Sequence, residues 1–108
     1  MDLSKLRKLV ALDENDPLSR FALGKKLYED ANGDRAMLEE AATHLSFANG
    51  RDRDHLATYH IYAKALIALG KTGEAKAVLT EGIERVAAGG GGMGRDLGPA
   101  MEEMLRQL

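Results

Sequence analysis

Two stretches decide the fold, EAATHLSFA at residues 40–48 and EAKAVLTEG at residues 74–82. Across them Ala41 and Ala75, Leu45 and Leu79, and Ala48 and Gly82 each stand 34 residues apart. In both stretches the small and apolar residues recur at three- and four-residue steps, which gathers them on one face of a helix. Nothing around them alternates with the two-residue period of a strand. A self-similar period of this length in helical sequence predicts a helix-turn-helix unit stacked on a copy of itself.

Working outward, Asp16-Pro17 predicts a helix start, because the carboxylate can cap free amides and proline sits where its missing N–H costs nothing. The helix that follows runs to about Asp30 with a buried stripe of Leu23, Gly24, Leu27 and Ala31. Its glycine stands where a neighbouring helix needs close approach. Asn32-Gly33-Asp34 breaks the chain. The next helix, from about Arg35 to Ala48, presents Leu38, Ala41, Ala42, Leu45 and Ala48, and a turn is expected at residues 49–53. Asp54 is the expected cap of a helix with Tyr59, Tyr62, Ala63, Leu66 and Leu69 on its stripe, which stops at Gly70-Lys71. Thr72 is the expected cap of another, faced by Ala75, Val78, Leu79, Ile83 and Val86. Outside these, Leu3, Leu6, Leu9 and Val10 describe a short amphipathic helix. Beyond a glycine-rich run from Gly89, Asp96 and Pro99 open a last helix with a Met101-Met104-Leu105-Leu108 stripe.

The chain therefore reads as one all-α domain over 1–108. It divides into an N-terminal helix (1–14), a first helix pair (17–53), a second (54–88), a glycine-rich linker (89–95) and a C-terminal capping helix (96–108). With 108 residues there is room for one core, burying roughly two thirds of the surface that the unfolded chain exposes. Fifteen basic and 17 acidic side chains leave a net charge of −2, so no global field recruits nucleic acid or anionic lipid. Cysteine is absent, which excludes disulfides and thiolate metal sites. Charges at Asp2, Lys5, Arg7 and Lys8 interrupt the first apolar residues, and no run resembles a signal peptide or a membrane span, so a cytoplasmic location is expected.

On these residues the chain resembles the tetratricopeptide repeat (TPR) family. Tyr59, Tyr62-Ala63, Leu66, Gly70, Ala75, Leu79 and Gly82 stand where that family places its large aromatic, its Leu-Gly pair and the positions that follow. In the first unit the counterparts are Leu23-Gly24, Leu27, Ala41, Leu45 and Ala48, with Glu40-Ala41 matching Glu74-Ala75. The pattern departs in three ways. Leu23 and Tyr62, Gly24 and Ala63, and Leu27 and Leu66 are 39 apart rather than 34, which puts five extra residues in the first unit's internal turn, around 31–35. Arg20 stands in place of the aromatic, and Arg53 in place of the closing proline. The likeness spans residues 17–88, about two thirds of the chain, and is similar to small bacterial two-repeat members that carry a short trailing helix. It implies a right-handed α-α superhelix. Two repeats alone leave an apolar face at either end, so the flanking helices are expected to cap them. Dimerisation through the Met101-Met104-Leu105-Leu108 stripe is the other way to cover one end.

Signals for chemistry are weak. Gly89-x-Gly91-x-x-Gly94 satisfies the dinucleotide fingerprint literally, yet it follows a helix rather than a strand, and Arg95-Asp96 stands where a phosphate loop needs lysine and a hydroxyl residue. Among the three histidines, His55 and His60 are five apart, which is the wrong step for two ligands on one helical face. Ser4, Ser19 and Ser46 have no base fixed nearby by sequence, and the pairs Glu39-Glu40 and Glu102-Glu103 diverge around their helices. No cofactor, no metal and no catalysis are expected.

The resemblance does imply a binding face. In the family the first helix of each pair lines an inner groove, which here selects Phe21, Lys25 and Tyr28 in one unit and His60, Lys64 and Ile67 in the other. Two ammonium groups beside aromatic and apolar side chains suit an extended peptide or protein segment carrying an acidic group. Solvated lysines and a groove filled by the N-terminal helix form the competing account. The asparagines with which some members clamp a terminal carboxylate are missing. The expected function is thus a non-catalytic, protein-binding adaptor, and the alternative is a structural homo-oligomer built on the C-terminal stripe.

Overall fold

A computed structural model describes residues 1–89 and 92–108, and among them it is entirely helical apart from turns. Six helices follow in order: α1 (Leu3–Leu12), α2 (Pro17–Asp30), α3 (Arg35–Arg51), α4 (Leu56–Ala68), α5 (Thr72–Ala87) and α6 (Gly94–Arg106). The first three begin as their sequences dictate. Asp2 accepts from the Lys5 amide, Asp16 from Leu18 and Ser19 with Pro17 at the first helical position, and Asp34 from Met37.

The later starts differ from expectation. Asp54 does not cap α4: its carboxylate meets Arg85 of α5 at 3.3 Å, and His55 takes the capping position with no side-chain bond to a backbone amide of the helix. Thr72 lies inside the first turn of α5 rather than before it, with Lys71 at the cap. The last helix starts at Gly94, so Asp96 sits in the first turn and Pro99 is internal. Gly94 and Gly98 lie against Val86 of α5, where an added Cβ would stand 3.4 and 3.2 Å from Val86 Cγ1, and Leu97 packs on the neighbouring apolar cluster, so tertiary contact holds the chain in helix before the start that capping rules predict. Helix α3 likewise runs on through Asn49 and Gly50, because Asn49 is buried and its side-chain oxygen accepts from Arg53 at 3.0 Å; the turn moves to the residues after Arg51.

Packing follows chain order, each helix against the next. In addition α2 touches α4 and α4 touches α6, whereas among the described residues no Cα of α1, α3 or α5 comes within 8 Å of another helix of that set. The even-numbered helices therefore form one layer and the odd-numbered helices flank it. Ala41, Ala75, Leu45, Leu79, Ala48 and Gly82 are all buried. Leu6 and Val10 of α1 join Leu23, Leu27, Ala41, Leu45 and Ala65 in one apolar cluster, while Tyr59, Ala63, Leu79 and Met101 make a second. Close approach is built on two glycines. A Cβ on Gly24 would lie 2.7 Å from Leu45 Cγ, and one on Gly82 would lie 2.9 Å from Tyr59 Cβ.

Candidate functional site

Phe21, Lys25 and Tyr28 follow one another at steps of four and three along α2, as His60, Lys64 and Ile67 do along α4. Each trio forms a stripe beside its helix's buried face. On α2, burial of Leu23, Gly24 and Leu27 turns Lys25 outward, where its ammonium lies 3.7 Å from Glu29. Phe21 is half-buried and sets its ring edge-on to His55 at 4.8 Å between centroids. Tyr28 packs between the α1–α3 cluster and a smaller one formed by Ala31, Leu38 and Leu69.

On α4, burial of Tyr59, Ala63 and Leu66 leaves the second trio on an adjoining side, with His60 and Lys64 half-buried. Burial, and after it the neighbouring Lys64 ammonium, holds the His60 pKa below its ordinary 6.5, so this imidazole is neutral near pH 7. Lys64 has no carboxylate within 4 Å among the described residues. Ile67 is 36% exposed, a large apolar side chain left uncovered in an otherwise apolar helix.

The structure joins these residues only in part. Phe21 and Lys25 line a cavity of about 350 Å³ with Met1 and Leu6, and Tyr28 lines a separate one of similar volume with Asn32, Leu38 and Ala68. His60, Lys64 and Ile67 line neither. Helix α1 packs on α2 and none of its Cα atoms comes within 8 Å of α4, so it flanks the first trio without covering the second.

The stripe considered as an oligomer surface is partly covered within the chain. Met101 is fully buried against Tyr59, Ala63 and Leu79, and Met104, Leu105 and Leu108 are half-buried around the same cluster. Part of its apolar area is thus used on α4 and α5, and the half-buried Met104, Leu105 and Leu108 are what a second copy could still cover.

Sequence reading also missed a feature. A cavity of about 520 Å³ opens between α3, α4 and α5, lined by Ala42 and Leu66 with Glu39, Thr43, Ser46, Tyr62, Lys71 and Glu74 around it. The signal was present in the steps Glu39-Thr43-Ser46, which run along the side of α3 away from Leu38, Ala41 and Leu45.

Polar contacts elsewhere serve the fold. Arg7 of α1 binds both oxygens of Glu40, His44 Nε2 lies 3.3 Å from the same carboxylate, and Arg20 Nη1 donates to His44 Nδ1 at 3.2 Å. Burial outweighs Glu40 and keeps the His44 pKa below 6.5, and Arg7 holds the Glu40 carboxyl below its usual value. Arg20 also donates to the Glu14 carbonyl and covers the Phe47 ring at 4.3 Å, so the arginine standing in place of an aromatic ties the turn before α2 to α3. His55 Nδ1 meets Thr58 Oγ1 at 2.7 Å, but Thr58 is only 1% exposed and lies out of reach of a substrate. Among the described residues no three His, Asp or Glu side chains are grouped to hold a metal ion. Gly91 of the literal dinucleotide fingerprint falls outside the described residues. No described helix is long and apolar enough to cross a membrane. Comparison with protein-family models, with curated proteins and with solved structures yields no match.

Proposed function

We propose that the chain is a non-catalytic, TPR-like adaptor that binds an acidic peptide or protein segment along the layer formed by α2, α4 and α6. The observation that carries this reading is the alternation of backbone contacts, in which α4 approaches both α2 and α6 while no Cα of α1, α3 or α5 comes within 8 Å of another helix of that set. Stacked helix pairs generate such a layer, and the extended surface it makes is what repeat arrays use to bind. Lys64 supports the acidic class of partner, because its ammonium has no carboxylate within 4 Å among the described residues and can attract an external one. Ile67 beside it supplies apolar contact, and the neutral His60 a hydrogen bond. A cytoplasmic partner fits the absence of cysteine and the near-balanced charge.

The test is a titration of isotope-labelled protein with extended peptides bearing Asp or Glu, followed by NMR, beside Lys25→Glu/Lys64→Glu shown by circular dichroism to fold alike. Shifts centred on α2 and α4 that vanish in the variant support the reading. Shifts confined to the cavity between α3, α4 and α5, or unchanged binding by the variant, would overturn it.

A further inference from the structure

The dipeptide Asn-Gly occurs twice, at residues 32–33 and 49–50, and the fold gives the two copies opposite surroundings. Asn49 and Gly50 lie within α3, where Asn49 is 6% exposed and its side-chain oxygen is held by Arg53 at 3.0 Å. Asn32 and Gly33 form the exposed turn between α2 and α3, both with positive φ, 47° and 86°. The hydrogen bond of that turn runs from the Asp34 N–H to the Ala31 carbonyl at 2.8 Å, bypassing the Gly33 N–H and the Asn32 side chain.

We propose that Asn32 is a site of spontaneous deamidation, and that the fold protects Asn49. The Gly33 backbone nitrogen attacks Cγ of Asn32 and a C–N bond forms. The Cγ–Nδ2 bond breaks, and ammonia leaves with the proton that the Gly33 nitrogen gives up. Water then adds to either carbonyl of the resulting five-membered imide and opens it to aspartate or isoaspartate. Glycine matters because it brings no Cβ to obstruct the approach, and the turn matters because its backbone can rotate into the attacking geometry without breaking a helix. At Asn49 the same approach requires α3 to open and the Arg53 contact to be lost.

The product places a carboxylate two residues from both Asp30 and Asp34, at the C-terminal end of α2, where the helix dipole already opposes negative charge. It also lies on the cavity that Tyr28 and Leu38 line. Isoaspartate further lengthens the main chain by one methylene in the turn that seats Ala31 and Leu38 against Leu69.

The experiment is incubation of the full chain at mildly alkaline pH, folded and in concentrated urea, with peptide mapping by mass spectrometry and enzymatic methylation to detect isoaspartate. In the folded protein Asn32 should convert at least about tenfold faster than Asn49, since helix opening gates the latter, and in urea the two rates should converge. Gly33→Ala should slow conversion at Asn32. Because the positive φ at this position strains any other residue, its effect is read also in urea, where folding plays no part. Equal rates in the folded chain, an Asn32 that stays intact while the unfolded chain converts, or aspartate formed without isoaspartate would each overturn the proposal.

Discussion

Arg53 reaches across from the turn before α4 to form an ion pair with Glu81 of α5, and the Tyr59 hydroxyl lies between them, 2.6 Å from the Arg53 carbonyl and 2.9 Å from Glu81 Oε2. Arg53 Nη1 also donates to Asn49 Oδ1 at 3.0 Å. An arginine thus fastens the end of α3 to α4 and α5 at the position where the resembled family closes its unit with proline.

Tyr59→Phe should cost about 1 kcal/mol, the usual net worth of one hydrogen bond. Arg53→Ala should cost about 1–3 kcal/mol, because Asn49, whose Nδ2 is already buried without a hydrogen-bond partner among the described residues, then loses the hydrogen bond to its Oδ1 as well. Urea denaturation of both variants, with Glu81→Ala completing a double-mutant cycle, measures this. Costs near zero would show that the network contributes nothing.

Two glycine replacements should differ in sign. Gly24→Ala places a Cβ 2.7 Å from Leu45 Cγ and 3.1 Å from the Ala41 carbonyl, so α2 and α3 must separate, at about 1–3 kcal/mol. Gly50→Ala meets nothing within 4 Å and should gain about 0.5–1 kcal/mol from helix propensity. Thermal denaturation of the two variants compares them directly. A stabilised Gly24→Ala protein would contradict the close helix contact.

Acidification should weaken the fold in the histidine range. Burial lowers the pKa of His44 and of His60 below 6.5, so below that value the unfolded chain takes up protons that the folded chain refuses. Their contribution is fully present above the unfolded pKa and is lost as pH falls through the lower folded values. Protonation of His44 also removes the Nδ1 lone pair that accepts from Arg20. Glu40, whose pKa is lowered from 4.5 chiefly by Arg7, keeps its contribution through this range and loses it only at lower pH. Urea midpoints measured across the histidine range should fall with pH, and His44→Gln should flatten part of the slope. A midpoint that rises on acidification would count against this assignment.

Much of the architecture was legible because its causes are local. The start of α2 rests on Asp16, read as its cap and bonded to the amides of Leu18 and Ser19; Asp2 and Asp34, which the sequence reading did not single out as caps, begin α1 and α3 in the same local way. The stripes Leu23-Gly24-Leu27 and Ala41-Leu45-Ala48 are buried because helical period alone aligns them. Where prediction and structure part, a distant contact outweighs a local preference. Asp54 gives up capping for Arg85, Gly94 enters α6 packed against Val86, and α3 outruns its expected end because Arg53 holds Asn49.

The candidate site divides in the same way. The two trios were readable as stripes, since three- and four-residue steps need no partner to define them. That α1 flanks Phe21 and Lys25 yet leaves His60, Lys64 and Ile67 uncovered depends on which helix α1 packs against, and no spacing encodes it. The fate of Met101, Met104, Leu105 and Leu108 was likewise open: an amphipathic stripe states that something must cover it and is silent on what. The sequence by itself determined an all-helical chain, its element order and the faces that must be buried, because these follow from hydrogen bonds and periodicity within a few residues. Only the tertiary structure decided what covers each face, because apolar burial is non-directional and its partners are chosen by the packing of the whole chain.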